Sequence, residues 1–210
     1  LGCAGALVYY AEETLCSRPG NLARIREYQA SQSLVLDPAT VRSLEIFRGM
    51  DNSRRGSLME AMDNTITAAG GRLLESYLSA PPLSLGEIRR RQTCVAEFVE
   101  EPGIVRDLRG SLQKVRDVLR ILGRLQNRMR NPREVGGIRD TLEQLPEITG
   151  LLHDCGGLET VKLAQRFHAF GPLADLLQRS IADELPTHVR DGGYIRSGYD
   201  VDLDHLRNLG

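Results

Sequence analysis

The chain of 210 residues has no tryptophan, and aromatic residues make up only 5% of it. Single-stranded nucleic acid is gripped by bases stacking on aromatic side chains, so this composition argues against such a binder. There is no GxxxxGK[ST] segment, so the glycine-ordered N–H groups and lysine of a phosphate loop are not to be expected here. No GxSxG elbow occurs, which removes the commonest serine-nucleophile signature. No apolar run approaches the roughly 20 residues of a membrane span. The first ten residues are apolar but lack a basic leader, so no signal peptide is expected. The four cysteines, Cys3, Cys16, Cys94 and Cys155, stand far apart with no CxxC. That spacing fits reduced thiols in a cytosolic protein better than a disulfide framework. No internal repeat or low-complexity tract is present. The chain lacks an initiator Met and stops as a helix is building, so it reads as a piece of something longer.

What remains is helical punctuation. Residues 2–16 read as a helix with Leu7, Tyr10 and Thr14 near one face, broken by the turn cluster at 17–21. Residues 25–29 and 33–36 have strand character. Asp37-Pro38 opens a helix carrying Val41, Leu44 and Ile46, because Asp can cap and Pro suits the first turn. Residues 49–56 form a polar loop and 57–62 a short helical piece. Thr67 caps a helix running to about Ser79 with the stripe Leu73, Leu74, Tyr77 and Leu78, and Pro81-Pro82 ends it. Ser84 with Glu87 has capping-box spacing, ahead of Ile88, Val95, Phe98 and Val99.

The clearest periodicity is Val105, Leu108, Leu112, Val115, Leu119 and Leu122, an apolar seam on one helix or on two in line. About 25 such residues would span about 38 Å, the length of a strut. After Asn131-Pro132 a further helix uses Val135, Ile138, Leu142 and Leu145, and Pro146 is expected to end or kink it. Gly70-Gly71 and Gly136-Gly137 read as close-packing or capping glycines. Helices follow around 158–170 and 172–181, then a turn at Asp191-Gly192-Gly193 and a last helix over 201–209. The fold class is therefore all-α, an elongated multihelical bundle with room for a short strand pair near the start.

Candidate chemistry is sparse. His153 and Cys155 with His168 fall short of the four ligands of a zinc site, and the carboxylate pairs Glu100-Glu101 and Asp183-Glu184 sit on amphipathic helices. No catalytic, cofactor-binding or metal residue is therefore assigned. Charge is more informative. Residues 104–133 hold nine Lys/Arg against two Asp/Glu, whereas 134–210 hold seven against thirteen. Arg116, Arg120, Arg124 and Arg128 recur every four residues, followed by Arg130 and Arg133. On one helix they would form a basic ridge able to contact phosphate or an acidic surface. The simpler reading is a solvated face, or pairing with Asp117 and the acidic C-terminal part.

Several blocks carry a family resemblance. They are residues 36–46 (LDPATVRSLEI), 62–74 (MDNTITAAGGRLL), Ile88 with Arg91, Val95 and Phe98, 117–124 (DVLRILGR), 132–135 (PREV), and 191–207 with its DGGYI and LDHLR. In this order they resemble the core, or lever, region of the MutS family of DNA mismatch-repair proteins. Ser43 stands where the family pattern has Asn, Leu119 where it has Glu, and Glu134 where it has Asp. The resemblance implies a helical core and lever domain over 1–190, with 191–210 starting the lever that leads into a DNA-clamping domain. It implies a parent protein that binds mismatched duplex DNA, uses ATP and Mg, forms a homodimer and is cytoplasmic. It also implies that this segment is not itself an enzyme, holds no cofactor and is monomeric alone. Two other readings stay open. One is a stand-alone helical nucleic-acid-binding module using the arginine ridge; the other is the core of a MutS-like relative acting in recombination or ribosome rescue.

Overall fold

A computed structural model describes residues 2–15, 33–127, 131–167 and 170–209. Its helices are α1 (Gly2–Leu15), α2 (Pro38–Ser43), α3 (Leu58–Met62), α4 (Ala68–Ser79), α5 (Leu85–Glu100), α6 (Pro102–Lys114), α7 (Val118–Gln126), α8 (Pro132–Asp154), α9 (Leu158–Ala164), α10 (Gly171–Ser180) and α11 (Val201–Asn208). Side-chain oxygens mark where many of them start. Asp37 accepts from the Thr40 N–H, Ser57 from Glu60, Thr67 from Gly70, Ser84 from Glu87 and Asp200 from Leu203. Each satisfies an N–H that the first helical turn leaves without a partner.

Helix α8 is the spine. Its 23 residues extend about 34 Å, and α6, α7, α9 and α10 all pack on it, while α5 packs on α6 and α9. The core is small: Ile148, Leu152 and Ala164 are buried, with Phe98, Leu108, Leu112, Val115 and Leu163 against them. Among the described residues many apolar side chains stay exposed, Val95, Val99 and Leu119 among them. The bundle is elongated, and much of its apolar surface is uncovered.

Several expectations change in the folded chain. The seam does not run down one strut. It holds through Val115, where the backbone turns extended (ψ 127°) and α6 stops. Asp117 then restarts the helix as α7. The interruption rotates the inward face, so Ile121 is buried while Leu119 is 75% exposed and Leu122 is also open. On α5, Val95 and Val99 face outward. Arg91, Cys94, Glu97 and Phe98 are the partly buried residues of that stretch. On α4, Leu73 and Tyr77 are likewise open.

Pro146 does not end α8, which continues to Asp154. The ring lies on the exposed side, away from the face that packs on the bundle. Helix α2 stops at Ser43, short of Leu44 and Ile46. Glu45 takes a positive φ of 49°, and the N–H groups of Glu45 and Ile46 close back on Arg42 and Val41. This is a Schellman cap that turns Ile46 into the interior.

No strand pair forms among the described residues. Ser33 makes an isolated bridge with Pro82, and Pro82 has no N–H with which to extend a ladder. The strand expected at 25–29 lies outside the described residues. No described helix is long and apolar enough to cross a membrane.

Candidate functional site

The run at 62–74 builds its own helix start. The Asp63 carboxylate accepts the Thr65 N–H at 3.0 Å and its hydroxyl at 2.6 Å, and pairs with Arg54. The Thr65 hydroxyl, its N–H and Arg54 together hold the Asp63 carboxyl below its usual range against the opposing pull of burial. Thr67 caps α4 through the Gly70 N–H at 3.0 Å. A Cβ on Gly70 would stand 3.1 Å from the Thr67 hydroxyl, so glycine keeps the cap uncrowded.

Arg72, one turn further on, forks onto Asp117 with N–O distances of 2.7 and 2.9 Å. Asp117 lies 45 residues away and is the same residue that caps α7 through the Arg120 N–H. One carboxylate thus closes the α6–α7 break and ties it to α4. The Arg72 guanidinium is the main reason the Asp117 carboxyl stays below its usual range, with burial opposing and the Arg120 N–H assisting. Two more arginines reach the same way. Arg109 of α6 donates to the Asn64 carbonyl at 3.0 Å, and the Arg91 guanidinium lies 3.6 Å over the Tyr77 ring.

The break is also pinned to the spine. The N–H that Arg116 would have spent in a continuous helix donates to the Thr141 hydroxyl at 2.9 Å, and that hydroxyl donates to the Gly137 carbonyl at 2.7 Å. Glycine at 137 leaves room for this approach: a Cβ there would lie 3.1 Å from the Arg116 Cγ, tighter than an ordinary contact. A Cβ on Gly136 would collide with the Leu185 side chain, 2.2 Å from its Cδ1.

The expected ridge is divided by this geometry. Arg116 precedes α7 and lays its stem on Gly137, Arg120 is exposed on α7, and Arg124 pairs with Glu134. Arg128 lies outside the described residues. The partner that Asp117 takes is Arg72, not a ridge arginine. Among the described residues no group of three or more His, Cys, Asp or Glu could hold a metal ion, and His168 lies outside them. Cys155 instead directs its thiol to the Glu97 carbonyl at 3.6 Å.

Two structural residues escaped the sequence reading. Glu97 of α5 caps α9 from outside, accepting the N–H groups of Glu159 at 3.0 Å and Thr160 at 2.8 Å. Gly157, at the cap position, has no side chain to do this, and a Cβ there would lie 2.1 Å from the Glu97 carboxyl carbon. Burial pushes the Glu97 carboxyl up, but hydrogen bonds from Glu159, from Thr160 through its N–H and hydroxyl, and from Leu158 together bring it below its ordinary value. The signal was present: a helix beginning after glycine needs an acceptor from elsewhere. The second is Arg139, which is buried and donates to the Ala182 and Ile181 carbonyls.

Acid sensitivity follows from Glu87. Hydrogen bonds from Arg90 and then Arg91 lower its carboxyl from 4.5 to about 2. The folded value lies below the unfolded one, so the unfolded chain binds more protons in that window and stability rises with pH there. The contribution is complete above about 4.5 and is lost as pH falls toward about 2. Glu97 and Asp117 shift in the same direction. The urea midpoint should therefore fall on acidification through this range. Glu87→Gln should flatten the fall, and added salt should weaken the effect because Glu87 is only partly covered.

An elongated all-α bundle, with helices pinned by long-range arginine and carboxylate contacts to a central spine, defines a helical scaffold domain. The sequence pattern of the family described as MutS domain III matches residues 39–208, and the chain belongs to that family. It is 37% identical over 207 residues to a protein named DNA mismatch repair protein MutS from Symbiobacterium thermophilum, covering 98% of this chain and 24% of that one. Proteins of the same name from Methanothrix thermoacetophila and Paracoccus denitrificans are 37% and 38% identical, over 98% and 100% of this chain. The chain thus spans 24% of the length of these relatives.

Proposed function

We propose that this chain is the core and lever segment of a DNA mismatch-repair protein, linking an ATP-hydrolysing part to a DNA-clamping part. The observation that carries the reading is the α6–α7 joint, held at once to the spine α8 by Thr141 and to α4 by Arg72. A displacement arriving at one helix there is passed to two others through short, directional contacts. In this reading residues 1–190 are the core and 191–210 begin the lever toward the clamp. ATP and Mg are held by a part outside this sequence, which has no GxxxxGK[ST] segment of its own. The parent protein binds mismatched duplex DNA as a homodimer in the cytoplasm, and this segment performs no catalysis.

The test is Leu112→Pro in the full-length protein. Leu112 packs on the core from the last turns of α6, and proline there removes a helical hydrogen bond at a cost of about 3 kcal/mol. The variant should still bind a mismatched duplex but lose most of its ATP-triggered release. Release at the normal rate would refute the lever reading. The second reading, a nucleic-acid contact through Arg116, Arg120, Arg124 and Arg128, draws on the exposure of Arg116 and Arg120. Tight, steeply salt-dependent binding of duplex DNA by this chain alone would favour it.

A further inference from the structure

Residues 33–80 carry a small interior of their own. Ile46, Ser57 and Met59 are buried, and the N–H groups of Leu58 and Met59 close on the carbonyls of Glu45 and Ile46. Among the described helices, α4 packs substantially only on α3, whereas α5 to α10 are knitted together around α8. No residue of α4 is fully buried, and its apolar Leu73 and Tyr77 are left open. Three directional contacts cross from this body to the bundle: Arg72 on Asp117, Arg109 on the Asn64 carbonyl, and Arg91 over Tyr77. The Arg72 side chain is itself 51% exposed, so ions reach the contact.

We propose that residues 33–80 are hinged on the α5–α10 bundle through this three-arginine articulation, and that ionic strength sets how stiff the hinge is. An apolar interface would resist salt, because burial of apolar surface is strengthened or unchanged by it. Exposed charge contacts respond oppositely, since screening shortens their range from about 10 Å at 0.1 M salt to about 3 Å at 1 M. Asp117 is the pivot. Its cap on the Arg120 N–H is made independently of Arg72, which leaves the helix its own start while the body swings. The proposal shares the Arg72–Asp117 contact with the lever reading, but its readout is the width of a distance distribution and not ATP-triggered release, so the two can fail separately.

The test is the spread of distances between spin labels at Ser76 and Glu147, both exposed, in a chain whose four cysteines are replaced by serine. At low salt one narrow distribution is expected. At 1 M salt, or in the Arg72→Gln/Arg109→Gln variant at low salt, the width should grow about twofold, as expected when screening or removal breaks the contacts. Circular dichroism should show the helices retained. Small-angle scattering of the unsubstituted chain gives a label-free check, with a radius of gyration that rises with salt. Widths and radii indifferent to both salt and substitution would overturn the proposal. So would loss of helical signal in step with the broadening, because the arginines would then be holding the fold and not a hinge.

Discussion

Replacing Leu152 by alanine should lower the unfolding free energy by about 2–5 kcal/mol, the range for emptying a well-packed aliphatic site. Leu152 is 2% exposed and sits beside Ile148 and Ala164, where side chains from α5, α6 and α9 converge on the spine. Ala164 is already small and buried, so little is available to collapse into the hole. The effect belongs near the upper half of that range. Urea unfolding should show a lower midpoint with an unchanged slope. Leu119→Ala is the matching control. It comes from the same apolar periodicity but is 75% exposed, so its cost should stay within about 0.5 kcal/mol. Equal losses at the two positions would mean that the α6–α7 break does not rotate the inward face as described.

The second large effect is expected at Arg139. Its guanidinium donates to the Ala182 carbonyl at 2.8 Å and the Ile181 carbonyl at 3.3 Å, and to Asp140 through Nε and Nη2 at 3.0 and 2.8 Å. Arg196 grips the same segment from the other side, reaching Asp183 at 2.6 and 2.9 Å. Between them Ile181 and Ile195 form a bridge, with the Ala182 N–H on the Tyr194 carbonyl and the Arg196 N–H on that of Ser180. This bridge fastens the chain that leads to α11 onto the bundle.

Arg139→Ala removes charged donors from two carbonyls, of which that of Ile181 keeps a second donor in Arg196 at 3.2 Å. Hydrogen bonds to charged groups are worth about 1.5–3 kcal/mol, so a loss of about 2–3 kcal/mol is expected. Amide exchange should show it locally, with protection at Ala182 and Arg196 falling about tenfold or more, since each 1.4 kcal/mol of opening free energy is tenfold. Arg139→Lys should rescue only part of it, because an ammonium cannot reproduce the planar fork. Unaltered protection in Arg139→Ala would show that Arg196 and the bridge hold the segment unaided.

Much of the helical punctuation was legible because it is local. Asp37, Thr67 and Ser84 cap the helices they were expected to open, and Pro81-Pro82 follows the end of α4. Those outcomes need only a few consecutive residues. Gly136-Gly137 also behave as read, as sites of close approach. The inward faces were less legible. Heptad-like spacing placed Leu119 and Leu122 on the seam, but spacing cannot register a three-residue break that resets the phase. On α5 the pattern favoured Val95 and Val99, yet Glu97 turns inward because the open N-terminus of α9 offers it two donors. Of the arginine ladder, Arg116 stands in the same break, and Arg120 and Arg124 lie beyond it on α7.

By itself the sequence determined that this protein is built of short capped helices and that its blocks follow the order of the MutS core. Both are encoded in neighbouring residues and in their succession. Only the tertiary structure decided which partners the charged side chains take: Arg72 for Asp117, Glu97 for the start of α9, Arg139 for the carbonyls of Ile181 and Ala182. Those pairs join residues 42 to 63 positions apart, and nothing in a local pattern specifies such a meeting. They arise because backbone donors and acceptors left at helix ends and breaks must be satisfied by whatever packing brings within reach.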